Sequence, residues 1–210
     1  MRAYFKAMRE KLSIVFAVVV WFAVIAQFII MLQNRVADVP ETIIRFFSFF
    51  TILTNILVAL YFTGVSFDVS FTKISGVLTA VTVYIFVVGI VYQSVLRHLW
   101  QPTGMQRIVD ELLHTVNPLF VIIYWYLYEN KRDVRYGQAL AWLIYPAAYL
   151  AYSLIRGNFS GFYPYPFINV SEIGMEQALL NSGLLGLIFF AVGCLFILIG
   201  RKITPLGVMT

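Results

Sequence analysis

The sequence predicts an all-α fold, a six-transmembrane-helix bundle with both termini cytoplasmic. Three observations predict it. Of 210 residues, 61% are hydrophobic and 12% charged, whereas a soluble domain averages about 45–50% apolar and about 25% charged. The mean hydropathy is +0.85. The apolar residues fall into six runs, each near the roughly 17–25 residues that cross a bilayer as a helix, with short polar stretches between them. So little chain lies outside these runs that residues 1–210 read as one integral, multi-pass membrane domain. If the chain is bacterial, that membrane is the plasma, or inner, membrane.

Arg2, Lys6, Arg9 and Lys11, with the single acid Glu10, precede the first run, about 12–32. A secretory signal has a core of only ~7–15 residues and a small-x-small cleavage site. This run is longer and ends in Gln33-Asn34-Arg35, so it reads as a retained helix. The second helix, about 42–63, follows Pro40, and 64–73 is a polar turn. The third is about 74–96. Residues 97–111 are mixed and read as interfacial, with Trp100 and Pro102 at headgroup depth. The fourth helix, about 112–128, is short for a span, and the charged turn 129–135 closes it. The fifth is about 138–154, with Pro146 as a kink. Residues 156–177 form the longest loop. The sixth helix, about 178–200, ends in Arg201-Lys202. Gly186, Gly193 and Gly200 recur on it every seventh residue, a pattern of small residues that lets helices approach closely in lipid.

Charge sets the orientation. Cytoplasmic loops carry the excess of Lys and Arg. With the N-terminus inside, the inner segments hold Arg2, Lys6, Arg9, Lys11, Lys73, Lys131, Arg132, Arg135, Arg201 and Lys202, which is ten. The outer segments hold four, Arg35, Arg97, Arg107 and Arg156. The net charge of +5 and pI near 9.3 therefore reflect membrane orientation. No basic, aromatic stretch lies outside the apolar runs, so nucleic acid is not an expected partner. The single cysteine, Cys194, forms no intrachain disulfide and belongs to no metal-ligand spacing. It reads as a small packing residue.

Polar groups inside such runs are costly and ask for a reason. Arg45, Ser48, Thr51 and Asn55 fall close to one stripe of the second helix at helical spacing. A second polar island is His114, with Asp110 four residues before it on the same face. In the expected topology both islands enter from the outer side, Ser48 about 9 Å below the start of its helix. A serine hydroxyl needs a base to become a nucleophile, and histidine is the usual one. Asp110 would orient the imidazole. Arg45 and Asn55 would stabilise an oxyanion, or Arg45 would hold a substrate carboxylate. Each residue also has a plainer role. Ser48 can bond its own backbone, Asp110-Glu111 can cap a helix, His114 can pack, and Arg45 can pair with Glu41 or snorkel.

Three motifs give the chain a resemblance. They are Arg45-Phe46-Phe47-Ser48-Phe49, His114-Thr-Val-Asn-Pro118, and Gly161-Phe-Tyr-Pro-Tyr165-Pro166-Phe167. In this order and setting they resemble the androgen-induced-protein-like family of multi-pass membrane proteins and its bacterial relatives. The resemblance covers more than half the chain. The animal members of that family are intramembrane threonine hydrolases of fatty acid esters of hydroxy fatty acids. Their threonine falls on Ser48 and their histidine on His114. Where they carry an acid three residues after the nucleophile, this chain has Thr51. The proline stands one residue nearer the histidine. The hydroxyl thus stays open between Ser48, Thr51 and Thr54.

The expected function is hydrolysis of a lipid ester from the bilayer, by a Ser or Thr nucleophile and the His114 base. Tyr165 would support the site from the outer loop, whose Phe159, Phe162, Tyr163 and Phe167 suit a lid or an interfacial anchor. No metal or other cofactor is implied. The alternative is a non-catalytic lipid- or small-solute-binding membrane protein or transporter built on the same pocket.

Overall fold

The computed structural model describes residues 2–99 and 101–203, with side chains from Phe5 onward. Trp100, expected at headgroup depth, lies outside the described residues, as does the Arg2 side chain. The described chain is helical, without strands, and its long helices are α1 (Arg2–Gln33), α2 (Val39–Phe47), α3 (Phe50–Ser66), α4 (Val77–Val91), α5 (Gly104–Glu111), α6 (Asn117–Tyr128), α7 (Tyr136–Trp142), α8 (Ile144–Ser160) and α9 (Val170–Lys202). Five stretches are long and apolar enough to cross a membrane, and a sixth is added if α2 and α3 count as one bent span.

The exposed surface is apolar where lipid would require it. On α1, Ile14, Val18, Phe22, Ile25 and Ile29 form an exposed stripe at helical spacing. The opposite face of α1 packs inward, where Phe16 lies edge-on to Phe62 of α3 and stacks on Phe120 of α6 at 4.5 Å. Two ends of the bundle can be told apart by their polar contacts. At one end Arg9 donates to the Tyr124 hydroxyl (3.3 Å) and Ser13 meets Ser66 (3.3 Å). At the other, Gln106 donates to Gln27 (2.8 Å).

The first end is held by two buried ionisable side chains just beyond α6, Glu129 and Lys131. The Glu129 carboxylate accepts the Thr79 amide and hydroxyl, both at 2.9 Å, and so caps α4, whose own N-cap is Gly76 with no side chain to offer. Lys131, 1% exposed, donates to the Tyr126 carbonyl (2.7 Å) at the C-terminus of α6. Lys131 lies 5.1 Å from the centre of the Trp125 ring.

Several expected boundaries move, each for a physical reason. The second helix is not continuous over 42–63: α2 and α3 meet at a 69° bend. The fourth helix is not a short 112–128 but a stretch from Gly104 to Tyr128 with a π-turn at Leu112–Val116. Asp110-Glu111 therefore caps no N-terminus. The third likewise ends in a π-turn, Tyr92–Leu96. The fifth runs from Tyr136 to Ser160 and breaks at Leu143. The cause is Pro146, which has no N–H for the Trp142 carbonyl four residues back. Tyr84 of α4 supplies the missing donor at 2.8 Å. The sixth starts at Val170 and contains the non-helical Gly174 (φ 79°, ψ 161°). The expected loop 156–177 shrinks to 161–169. Of the three spaced glycines, Gly193 comes close to Ala139 and Trp142, and Gly200 to Lys131, as a packing face should. Gly186 has nothing within 4 Å of where its Cβ would be.

Candidate active site

At the Gln27–Gln106 end, a cavity of about 840 Å³ opens between α1, α2, α3, the two π-turns, α5 and the loop after α8. Arg45, Thr51, Asp110, His114 and Tyr165 all line it. The structure thus gathers five of the seven expected site residues. Its size falls within the roughly 300–1,000 Å³ usual for small-molecule sites.

The bend between α2 and α3 carries neither glycine nor proline. Ser48 is still near-helical (φ −86°, ψ −10°), but Phe49 is extended (φ −82°, ψ 124°). Such a break frees carbonyls at the end of α2 and amides at the start of α3. In lipid these need partners within the protein. Tyrosines provide them. Tyr149 of α8 donates to the Ser48 carbonyl (2.8 Å), and the Thr51 amide donates to the Tyr165 hydroxyl (3.1 Å).

The same break separates the hydroxyls. Ser48 is 1% exposed and is not part of the cavity wall. Its hydroxyl donates to the Ile44 carbonyl (2.7 Å) and accepts from Tyr152 of α8 (2.9 Å). Ser48 is thus engaged by its own helix and by α8, and it does not share the cavity wall with His114. Thr54 is fully buried, 3.1 Å from the Tyr145 hydroxyl, and also lies outside the cavity wall. Of the three expected hydroxyls, Thr51 is the one on the cavity wall with His114, where Thr42 and Thr103 also stand. Its Oγ1 lies 3.3 Å from the Tyr165 hydroxyl.

His114 sits inside the π-turn, and Pro118 explains the turn. Proline has no N–H and its ring clashes with the carbonyl four residues back, here that of His114. The chain widens: the Asn117 amide bonds Leu112 and passes over Leu113. The Leu113 carbonyl is left with no donor from its own helix, and Asn55 of α3 fills the gap at 3.2 Å. Asn55 also donates to the Thr51 carbonyl (2.9 Å) and accepts from Asn117 (2.8 Å). Its amide is spent on these bonds, and it is absent from the cavity wall. Asn55 ties the Thr51 helix to the His114 turn. Gly89 of α4 lets the widened turn pack closely, since a Cβ there would lie 3.3 Å from the His114 carbonyl.

The imidazole is held on three sides. His114 Nδ1 lies 3.0 Å from the Asp110 carbonyl and 3.2 Å from its carboxylate. The Tyr92 ring stacks on it at 4.0 Å and 13°. The Tyr92 hydroxyl donates to the other Asp110 oxygen. With Nδ1–H donating to Asp110, Nε2 carries the lone pair. Among the described residues Nε2 has no hydrogen-bond partner.

Arg45 points its Nε at Glu41 (2.8 Å), one turn back. Arg156 of α8 reaches the same Glu41 oxygen (2.7 Å). Both guanidinium groups rest against Phe162, at 4.6 and 4.9 Å from the ring centre. This clasp fixes the loop after α8, whose Phe162, Pro164, Tyr165 and Pro166 wall the cavity. Tyr163 packs on Gly157 instead, and Phe159 is 84% exposed on α8. Sequence reasoning missed Tyr92, Tyr149, Tyr152 and Gly89. A tyrosine in an apolar run does announce a hydroxyl in need of a partner, but only the fold says which.

No cluster of three or more His, Cys, Asp or Glu side chains that would hold a metal occurs among the described residues. An all-α molecule with helices long and apolar enough to cross a membrane, and with a largely apolar cavity at one end that carries a few polar side chains, is thus the class that fold and site define. Compared with known proteins, the chain matches no family model, no curated protein and no solved structure.

Proposed function

We propose that the protein is an intramembrane hydrolase of lipid esters in which Thr51 is the nucleophile and His114 the general base. The observation that carries this reading is the shared cavity of the Thr51 hydroxyl and an imidazole whose Nδ1 is anchored and whose Nε2 is free. The resemblance to the androgen-induced-protein-like family points to the same chemistry, on a hydroxyl one helical turn further along than first aligned.

In this mechanism His114 Nε2 takes the Thr51 proton as Thr51 Oγ1 attacks the ester carbonyl. Negative charge then develops on the carbonyl oxygen. Two features favour it: the positive end of the α3 dipole, since Thr51 is the second residue of that helix, and the Tyr165 hydroxyl beside it. Asp110, braced by Tyr92, stabilises the imidazolium that forms. His114 returns the proton to the leaving alcohol, and water releases the acyl group by the reverse path. Arg45, at the cavity wall and with its two Nη atoms free of hydrogen bonds among the described residues, suits an anionic group on the substrate. The chain spans the membrane six times with cytoplasmic termini, which puts the cavity in the outer half of the bilayer.

The test is ester turnover by purified variants. Thr51→Ala and His114→Ala should each lose at least about 100-fold, Thr51→Ser should keep substantial turnover, and Ser48→Ala should stay near wild type. Loss on Ser48→Ala with retention on Thr51→Ala would reverse the assignment.

A further inference from the structure

A second cavity, about 270 Å³, lies on the other side of Thr51, between α4, α8 and α9. Thr51 and Tyr165 line both. The two spaces differ in chemistry. The second is walled by Val87 and Val88 of α4, Leu150 of α8, and Leu185 and Phe189 of α9. Its few polar groups are committed elsewhere. Tyr149 donates to the Ser48 carbonyl, and Ser182 to the Ala178 carbonyl of its own helix (2.6 Å). The first cavity, by contrast, offers Gln27, Arg45, Gln106 and Asp110.

We propose that the apolar chamber holds the acyl chain of the ester and the wide cavity holds its alcohol half; this rests on the hydrolase reading above. The reason is where the proton must go. Thr51 Oγ1 bonds to the acyl carbon, and the bond from that carbon to the alcohol oxygen breaks. The proton taken from Thr51 by His114 passes to the departing oxygen. His114 lines only the wide cavity, so the departing oxygen lies on that side. The acyl chain, still bonded at Thr51, leads away from it into the space without His114. That space has nothing to solvate a headgroup and much to receive methylenes. Ala147 of α8 is exposed and Gly186 of α9 half-buried, so the chamber reaches the bundle surface between these helices. A bilayer lipid can enter there chain first.

Gly186 supplies the test, because its missing Cβ faces open space. The full chain in detergent is assayed with 4-methylumbelliferyl acetate and decanoate, which share one leaving group. In Gly186→Phe, and in the smaller change Ser182→Leu, the decanoate-to-acetate ratio of kcat/KM should fall by about tenfold or more. Leu184→Phe, on the exposed face of the same helix, should keep the wild-type ratio. An unchanged ratio in Gly186→Phe and Ser182→Leu, with the wild type cleaving both esters, overturns the chamber assignment alone. A wild type that cleaves neither ester overturns the hydrolase reading and this inference with it.

Discussion

Ser48 and Thr51 are three residues apart, and on an unbroken helix they would share a face. The stripe argument rested on that continuity, and it fails where Phe49 turns extended. Past the bend Thr51 faces the cavity, while Ser48 keeps its helical habit of bonding four residues back. The polar character of the stretch was therefore legible in the sequence, and which of its hydroxyls lines the cavity was not. Asn55 shows the same limit. Its type and burial invited a direct role, but its three bonds join backbone carbonyls and Asn117. Removing it strands the Leu113 carbonyl, which has no other side-chain donor among the described residues. Asn55→Ala should destabilise the protein by about 1–3 kcal/mol, read as a lower Tm in detergent. A Tm equal to wild type would mean that the two helices need no such tie.

At the scale of elements, the long apolar helices were readable from composition, five of them long enough to cross a membrane or six with the bent pair. Their interruptions were partly readable. Pro118 and Pro146 each remove one N–H, and in each case a polar side chain from a neighbouring helix meets the freed carbonyl. What no local pattern reveals is that the Pro118 defect becomes a π-turn carrying His114. Pro118→Ala restores a donor, permits an ordinary α-turn, and rotates His114 relative to Asn55 and Thr51. Turnover should fall at least about tenfold, with no loss of Tm, since the substitution favours the helix. Turnover at the wild-type level would show that the π-turn does not position the imidazole. The cap on α4 makes a pH prediction. Burial pushes the Glu129 carboxyl up, outweighing the Thr79 hydrogen bonds that pull it down. A raised folded value means that this contribution is fully present below the ordinary glutamate value of 4.5 and is lost as pH rises through the folded value. Stability should thus decline upward from about pH 4.5 in the wild type, and Glu129→Gln should flatten that decline. An equal slope in both proteins would assign it to another group.

For the whole molecule, polar contacts distinguish the two ends of the bundle. Arg9, Lys131 and the end of α3 gather at one end, and Arg45 and His114 at the other. The side that each end faces is argued from charge, and cysteine labelling checks it. In a Cys194→Ser background, Ser160→Cys should react with an impermeant maleimide in intact cells, and Lys11→Cys only after permeabilisation. The opposite pattern would invert the protein in its membrane and turn the cavity toward the cytoplasm.

The pairing of Thr51 with His114 is tested most directly by the site of covalent capture. The purified protein is treated with a fluorophosphonate and digested, and the modified residue is located by fragmentation mass spectrometry. The account predicts an adduct on Thr51 that disappears in His114→Ala. An adduct on Ser48, or on Thr51 at the same rate without the imidazole, would contradict it.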